Sequence, residues 1–273
     1  MIEGLPKELS GKIELPGFPD IANRLNQAMC AESPVMKDIV ALINSEPALV
    51  SSLMRLANSA AFNTSNVNIS ELKTAITRLG FNIVWSAANS FAMRQMQQQE
   101  WLQPLRPWLA EIWLSSNSVG AICFVLAKRL RVIKADEALT VGLFHRVGDL
   151  YLLTHAHKKG IDLHNNPAWD RAVVKWQATV ASAIVRQWGL PGHVAESIQQ
   201  QDDLVGPRAG ELLPYARLLS AAKLYNSIRD RQGTKQASEA AAALEDADLW
   251  GVSFLDLVAD CNDEIDKMRH AIA

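Results

Sequence analysis

Residues 53–60 have the sequence LMRLANSA, and this stretch decides the fold class of the 273-residue chain. Leu53 and Leu56 lie three positions apart, a spacing that places them on one face of a helix. Pro47 suits the first turn of this helix, where its missing N–H costs nothing. Asn58 suits the last turn, because asparagine tolerates the left-handed conformation found at helix ends. The stretch therefore predicts a helix with two defined ends.

The same pattern extends in both directions along the chain. Apolar residues recur at spacings of three and four almost throughout, and alternating runs typical of strands are absent. Further helices are predicted after Ser33-Pro34, from Ser70 to Gly80, and at about 108–130, 136–155, 167–189, 191–201, 212–228 and 253–270, with polar links at 206–210 and 231–238. The predicted fold class is all-α.

Glutamines and prolines interrupt this pattern at residues 95–107. Residues 95–103 read QMQQQEWLQ and lack apolar periodicity, and Pro104 and Pro107 follow them. We place a boundary there and predict two packed helical lobes, residues 1–103 and residues 104–273.

Two tryptophans, Trp101 and Trp108, flank this boundary. Tryptophan supplies a large apolar surface and is enriched where proteins bind one another. We expect these two residues either to pack between the lobes or to contact a partner.

The composition is that of an ordinary globular protein, with 49% hydrophobic and 21% charged residues. The 27 basic residues nearly balance the 29 acidic ones, and the net charge is −2. Such a chain has no overall field that attracts a nucleic-acid backbone or an anionic membrane. We expect no nucleic-acid partner.

The sequence also favours a cytoplasmic protein. No basic segment leads into an apolar run at the N-terminus, and the apolar stretches look shorter than the roughly 18 residues that span a membrane. Cys30, Cys123 and Cys261 have unrelated spacings, so neither a disulfide framework nor a CxxC metal site is predicted. We expect a reducing compartment and no membrane insertion.

His145 is the most informative titratable residue, because it lies within the apolar segment LFHRVG at residues 143–148. A polar ring in such a segment needs a partner. Two interpretations are open, a core histidine bonded to a neighbour or a metal ligand, and the first is favoured because no carboxylate lies beside it.

Several motifs in the first hundred residues agree in type, order and spacing with one family. They are LPGFP at 15–19, EPAL at 46–49, LMRLANSA at 53–60 with Phe62, Ala75-Ile76 and Leu79-Gly80. Together they resemble the HDOD domain, the HD-related output domain of bacterial signalling proteins. Pro47, Asn58, Ser59 and Gly80 are the structural members of this signature.

The resemblance continues in the second half. WLSS at 113–116, GLFHRVG at 142–148 and WGLP at 188–191 look like the family's Trp-x-His-Ser, Gly-Leu-Leu-His-Asp-Ile-Gly and Trp-x-Leu-Pro segments. The match is expected over about residues 10–205. It implies that the second lobe is an HD-like helical bundle.

Catalytic HD proteins hold a divalent metal with a histidine, a His-Asp pair and a distant aspartate, because metal-activated water needs converging imidazole and carboxylate groups. The resemblance places other residues at most of these positions. They are Ser115, the pair His145-Arg146, Gln177, Gln200, Gln201, and Ala222 or Lys223. We therefore expect no metal, no cofactor and no hydrolytic activity, with Arg146 paired to Asp149 or to another carboxylate.

Three functions remain open at this point. The resemblance implies a non-catalytic regulatory module that acts through contact with other signalling proteins. One alternative is a sensor that binds a nucleotide or phosphate at Arg146 without hydrolysing it, because a guanidinium can bind phosphate oxygens with two N–H groups. The other is a metal-dependent phosphohydrolase with an atypical site.

Overall fold

The structure is a computed structural model, which describes residues 13–29, 31, 33–63, 65, 67–163, 166–204, 211–230, 241–245 and 247–272. Within these ranges the chain forms α-helices and a 3₁₀ helix but no β-strand, so the all-α prediction is confirmed. Cys30 and the polar links predicted at 206–210 and 231–238 lie outside the described residues.

The helices follow one another with short connections. They are α1 (Asp20–Met29), α2 (Met36–Asn44), α3 (Pro47–Asn58), α4 (Leu72–Leu79), α5 (Phe81–Met96), the 3₁₀ helix (Glu100–Leu105), α6 (Arg106–Leu130), α7 (Ala135–Phe144), α8 (Val147–Lys158), α9 (Pro167–Gln187), α10 (Gly192–Gln199), α11 (Pro214–Asp230), α12 (Phe254–Asp260) and α13 (Asn262–Ile272).

Helix α6 runs through the centre and packs most closely on α7. The two helices touch where Gly120 faces Gly142, since a Cβ on Gly142 would lie only 2.5 Å from the Gly120 Cα. Glycine at both positions allows the two backbones to approach to a distance that larger residues forbid. The approach lies in the last turn of α7, three residues before His145.

The junction between the predicted lobes contributes to the hydrophobic core. Met96, Leu102 and Leu105 are buried in one core that extends from α1 to α13. The 3₁₀ helix turns Leu102 and Leu105 inward at a spacing of three residues, which the glutamine-rich sequence does not indicate. The division at 103/104 stays a prediction.

A second correction concerns the helix expected over residues 136–155. The structure has two helices there, and the turn between them consists of His145 and Arg146. The sequence does not mark this turn, because neither a proline nor a break in the apolar pattern lies near it. Tertiary packing of the following glycine, Gly148, accounts for the chain path at the turn.

Helix α6 together with the 3₁₀ helix (Glu100–Leu130) is long and apolar enough to cross a membrane. The expectation that every apolar stretch is too short for this was therefore wrong. However, 72% of the most apolar window is buried inside the fold, which is common for the core helix of a globular protein. That the chain does not insert into a membrane stays a prediction.

Aromatic rings join the two ends of the HDOD-like region. Phe18 of the LPGFP motif stacks on Trp188 of the WGLP motif, with ring centroids 5.3 Å apart and planes inclined by 22°. Trp188 also packs edge-on against Trp85 and Phe144 at centroid distances of 5.8 and 5.6 Å. Such aromatic pairs contribute about 0.5–1.5 kcal/mol each beyond the area they bury. The two motifs thus form one contact between the lobes.

Asn58 holds the connection between α3 and α4 in place. Its Nδ2 donates hydrogen bonds to the carbonyl oxygens of Met54 (3.0 Å) and Ile69 (2.8 Å). Its Oδ1 accepts a hydrogen bond from the Ile69 backbone N–H at 2.8 Å. The asparagine therefore pairs both backbone groups of a buried residue, which explains its place in the signature.

We predict that Asn58→Ala lowers the free energy of unfolding by about 1–3 kcal/mol, because both backbone groups of Ile69 lose their partner. Urea denaturation followed by circular dichroism measures this change. Ser51→Ala is the matched control in the same helix, since the exposed Ser51 hydroxyl bonds only to the Pro47 carbonyl oxygen. Equal stability of the two variants would contradict the assigned role of Asn58.

Gly148 generates a second prediction, because a Cβ at this position would lie 2.0 Å from the Gln177 carbonyl oxygen and 2.9 Å from the Ala181 nitrogen. Both are backbone atoms of α9 that cannot rotate away. We expect Gly148→Ala to cost about 3 kcal/mol or more. In the control Gly192→Ala, the nearest atom is 4.0 Å away, so no loss is expected. A Gly148→Ala protein with unchanged denaturation midpoint would disprove this close packing.

Candidate functional site

Five polar residues and two backbone carbonyls form a connected network that runs from the interior of the second lobe to its surface. The residues come from the α7–α8 turn, α9, the segment after α10, and α11. They are His145, Gln177, Gln201, Lys223 and the exposed Asp202, and the carbonyl oxygens are those of Gly142 and His145. His145, Gln177 and Gln201 occupy positions that the resemblance assigned to the degenerate HD site, and Lys223 is one of the two residues expected at its later aspartate position.

His145 is fully buried, and its Nδ1 lies 2.7 Å from the Gly142 carbonyl oxygen. A carbonyl oxygen only accepts hydrogen bonds, so Nδ1 carries the proton and Nε2 presents a lone pair. Burial, followed by the positive charge of Lys223, holds the pKa of His145 well below its usual range. The imidazole is therefore neutral, and its Nε2 has no hydrogen-bond partner among the residues that the structure describes.

Gln201 connects this histidine to a side-chain cation. Its Nε2 donates to the His145 carbonyl oxygen at 3.0 Å, and its Oε1 accepts from the Lys223 Nζ at 3.0 Å. Gln201 is almost completely buried, and both ends of its amide are thus satisfied. The glutamine positions the Lys223 ammonium group next to the histidine turn.

Asp202 is the counter-ion of Lys223. Its Oδ1 lies 2.5 Å from the Lys223 Nζ, and its Oδ2 accepts a hydrogen bond from the Gln177 Nε2 at 2.8 Å. Sequence reasoning missed Asp202, although it directly follows the two glutamines that occupy expected ligand positions. The carboxylate binds a lysine and an amide here.

Arg146 forms a second ion-pair group beside the network. Its Nε lies 2.6 Å from the Asp149 Oδ2, as expected, and its Nη1 lies 2.6 Å from the Glu111 Oε1 of α6. Burial alone would lower the pKa of Arg146, but the charges of Asp149 and Glu111 outweigh it and raise that pKa. The guanidinium is held between two carboxylates and links α6 to α8.

The structure does not bring every predicted site residue into this network. The Ser115 hydroxyl instead lies 3.5 Å from the Nδ2 of Asn226, a residue outside the network. The Gln200 side chain points elsewhere, because its Oε1 accepts a hydrogen bond from the Leu213 backbone N–H at 3.2 Å. Neighbouring residues at the end of a helix face different directions, so only Gln201 of this pair reaches His145.

The two tryptophans at the lobe junction have different environments. Trp101 is 41% exposed, and its ring stacks on His157 with centroids 6.1 Å apart. Its indole N–H donates to the Gln99 Oε1 at 2.8 Å. Trp108 is half-buried and packs against the hydrophobic core. Trp101 therefore offers more surface to a partner than Trp108 does.

A catalytic metal does not fit the residues present. The described part of the chain contains no cluster of three or more His, Cys, Asp or Glu side chains with metal-binding geometry. His145 supplies one suitable lone pair, but the carboxylates of Asp202, Asp149 and Glu111 are bound by Lys223 and Arg146. A divalent cation would have to displace these side-chain cations to gain carboxylate ligands. The arrangement can hold its own helices together.

Comparison with known proteins places most of this chain in a family. The model of the HDOD domain matches residues 15–204. A curated relative from Treponema pallidum, an uncharacterized protein, is 23% identical over 229 residues. The alignment covers 78% of this chain but only 42% of that relative, so the chain spans less than half of the longer protein.

Solved structures share the fold at low sequence identity. A Shewanella amazonensis protein named as a metal-dependent phosphohydrolase has a TM-score of 0.70 at 21% identity. The superposition covers 100% of this chain and 98% of the Shewanella protein. An HDOD domain protein of unknown function from Geobacter sulfurreducens has a TM-score of 0.59 at 17% identity, with 99% and 96% covered. These likenesses concern the fold, while the family match covers most of the sequence. The chain belongs to the HDOD domain family.

Proposed function

We propose that this HDOD protein is a non-catalytic regulatory module that acts in signal transduction by contact with other proteins. One observation carries the proposal: the carboxylates near His145 are already bound by side-chain cations, Asp202 by Lys223 and both Asp149 and Glu111 by Arg146. Carboxylates paired in this way support a structural network rather than hydrolysis at a metal ion. The signal-transduction context comes from the family.

The name of the similar Shewanella protein includes metal-dependent phosphohydrolase activity. That activity does not follow for this chain, because the identity is 21% and a shared fold does not imply a shared function. His145 remains, but the next position is arginine and the later aspartate position falls at Ala222 or Lys223. The residues at these positions disfavour phosphohydrolase activity, and the shared fold gives no information about it.

The alternative of a nucleotide sensor requires a free guanidinium. The Nε and Nη1 of Arg146 already bind two carboxylates at 2.6 Å. A phosphate would need to displace them and would be repelled by both. The observed contacts therefore favour a structural role for Arg146.

We predict that the protein, purified without chelator, carries well below one equivalent of divalent metal by elemental mass spectrometry. We also expect Mn²⁺ to leave its melting temperature unchanged, because a cation that does not bind the native state does not stabilise it. The protein should hydrolyse no phosphomonoester or phosphodiester above the blank.

The matched control is the triple variant Ser115→His/Arg146→Asp/Lys223→Asp, which restores ligand types at three positions. We expect this variant to melt at a higher temperature with Mn²⁺ than without it. If the wild-type protein instead held a stoichiometric metal that His145→Asn removed, the non-catalytic proposal would be wrong.

The proposed protein contact can be tested at Trp101. Exposed tryptophans are frequent energetic centres of interfaces. We expect crosslinking and affinity purification from the native host to recover a signalling protein with the wild-type chain and to lose it with Trp101→Ala. Val174→Ala is the control, because the Val174 side chain is more exposed (79%) and lies on a different helix, α9. Loss of the same partner with both variants, or with neither, would reject Trp101 as the contact.

A further inference from the structure

A cavity of about 250 Å³ lies between the two lobes, separate from the network around His145. The first lobe contributes residues from the end of α1 and the start of α5, and the second contributes residues from α7 and the start of α10. Those with the clearest chemical roles are Phe81, Asn82, Trp85, Glu137, Thr140 and Val194. Its volume is close to the lower end, roughly 300 Å³, of pockets that hold small molecules.

Part of the wall of this cavity is apolar and aromatic. Phe81 is 39% exposed although it is a large hydrophobic residue at the start of α5. Trp85 also lines the cavity, and its buried indole N–H has no hydrogen-bond partner among the described residues. Aromatic faces attract both apolar groups and organic cations.

The lining includes one buried carboxylate, that of Glu137, and an ionised carboxylate has only acceptor sites. The Thr140 hydroxyl already donates to the Asp136 carbonyl oxygen at 3.0 Å and pairs with the Ser86 hydroxyl at 2.8 Å. A ligand group that binds Glu137 must therefore donate a hydrogen bond.

Glu137 is kept ionised by three partners. Its Oε2 accepts from the Tyr215 hydroxyl at 2.6 Å and from the His193 Nε2 at 2.8 Å. Its Oε1 lies 3.0 Å from the Lys134 Nζ. Burial alone would raise the pKa of Glu137, but these hydrogen bonds outweigh burial and lower it.

The partner on Oε1 is the easiest to replace. The Lys134 side chain is 73% exposed, so its bond to Glu137 is screened by solvent and weak. A carboxylate offers about four acceptor positions, and three are used here. Oε1 therefore has room for a further donor or for exchange of Lys134.

We propose that this inter-lobe cavity binds a small organic cation, an amine attached to an aromatic or other apolar body. The apolar body lies between Phe81, Trp85 and Val194, and the ammonium group binds the Glu137 Oε1. Such a ligand contacts both lobes at once, so it stabilises their observed arrangement by binding only that arrangement. This goes beyond the proposed regulatory role by giving the module a chemical input.

The test uses three probes of similar shape and different charge: phenethylamine, phenethyl alcohol and phenylacetate. Isothermal titration calorimetry on the full chain measures their affinities. We expect the amine to bind at least about tenfold more tightly than the alcohol, since a hydrogen bond to a charged group contributes this factor or more. We expect phenylacetate, which Glu137 repels, to bind more weakly than the alcohol.

Two variants locate the site and one serves as a control. Glu137→Gln keeps the side-chain shape and removes its charge, and should weaken amine binding about tenfold while leaving the alcohol unaffected. Phe81→Ala removes an exposed wall and should weaken both the amine and the alcohol. Asp266→Asn, an acidic residue of α13 outside the cavity lining, should change neither.

The proposal is overturned by any of three results. The first is equal affinity for the amine, the alcohol and the acid. The second is no amine binding at concentrations up to about 10 mM, which corresponds to less than roughly 3 kcal/mol of binding free energy. The third is amine binding that Glu137→Gln leaves unchanged. None of these results depends on the metal content of the His145 network, so this test and that of the proposed function fail separately.

Discussion

The buried Gln201 side chain joins the His145 turn to the Lys223 ammonium, and this ammonium pairs in turn with the exposed Asp202 carboxylate at 2.5 Å. Through Asp202 the ammonium reaches Gln177 on α9, and through Gln201 it reaches the backbone of His145. One side-chain cation thus links four segments, as a metal ion does in a metal site. A metal ion, however, exchanges ligands with water, whereas an ammonium only donates hydrogen bonds.

The need to pair each side-chain cation with a carboxylate also explains the contacts of the arginine that follows the histidine. Arg146 turns away from the Lys223 network and binds Glu111 and Asp149, so two positive charges near each other are each neutralised locally. The neutral state of His145 is consistent with this distribution, because a third positive charge in the buried interior would be costly. The site is a set of matched ion pairs around an uncharged ring.

Sequence patterns predicted the parts of this structure that depend on neighbouring residues. The helix that ends at Asn58 and the pairing of Arg146 with Asp149, three positions later, follow from local spacing. The turn at His145 could not be predicted, because it depends on the packing of Gly148 against the backbone of α9. The roles of Asp202 and Glu111 could not be predicted for a related reason. Their partners lie 21 and 35 residues away in the sequence, and no local pattern links such positions.

The most direct test of the account is a crystal structure of the wild-type protein grown with Mn²⁺, with anomalous data collected at a wavelength that manganese absorbs. We predict no anomalous peak within coordination distance of the His145 Nε2, and Lys223 density that reaches both Gln201 and Asp202. A manganese peak bound to the His145 Nε2, with Lys223 displaced toward solvent, would contradict the claim that side-chain cations have replaced the metal.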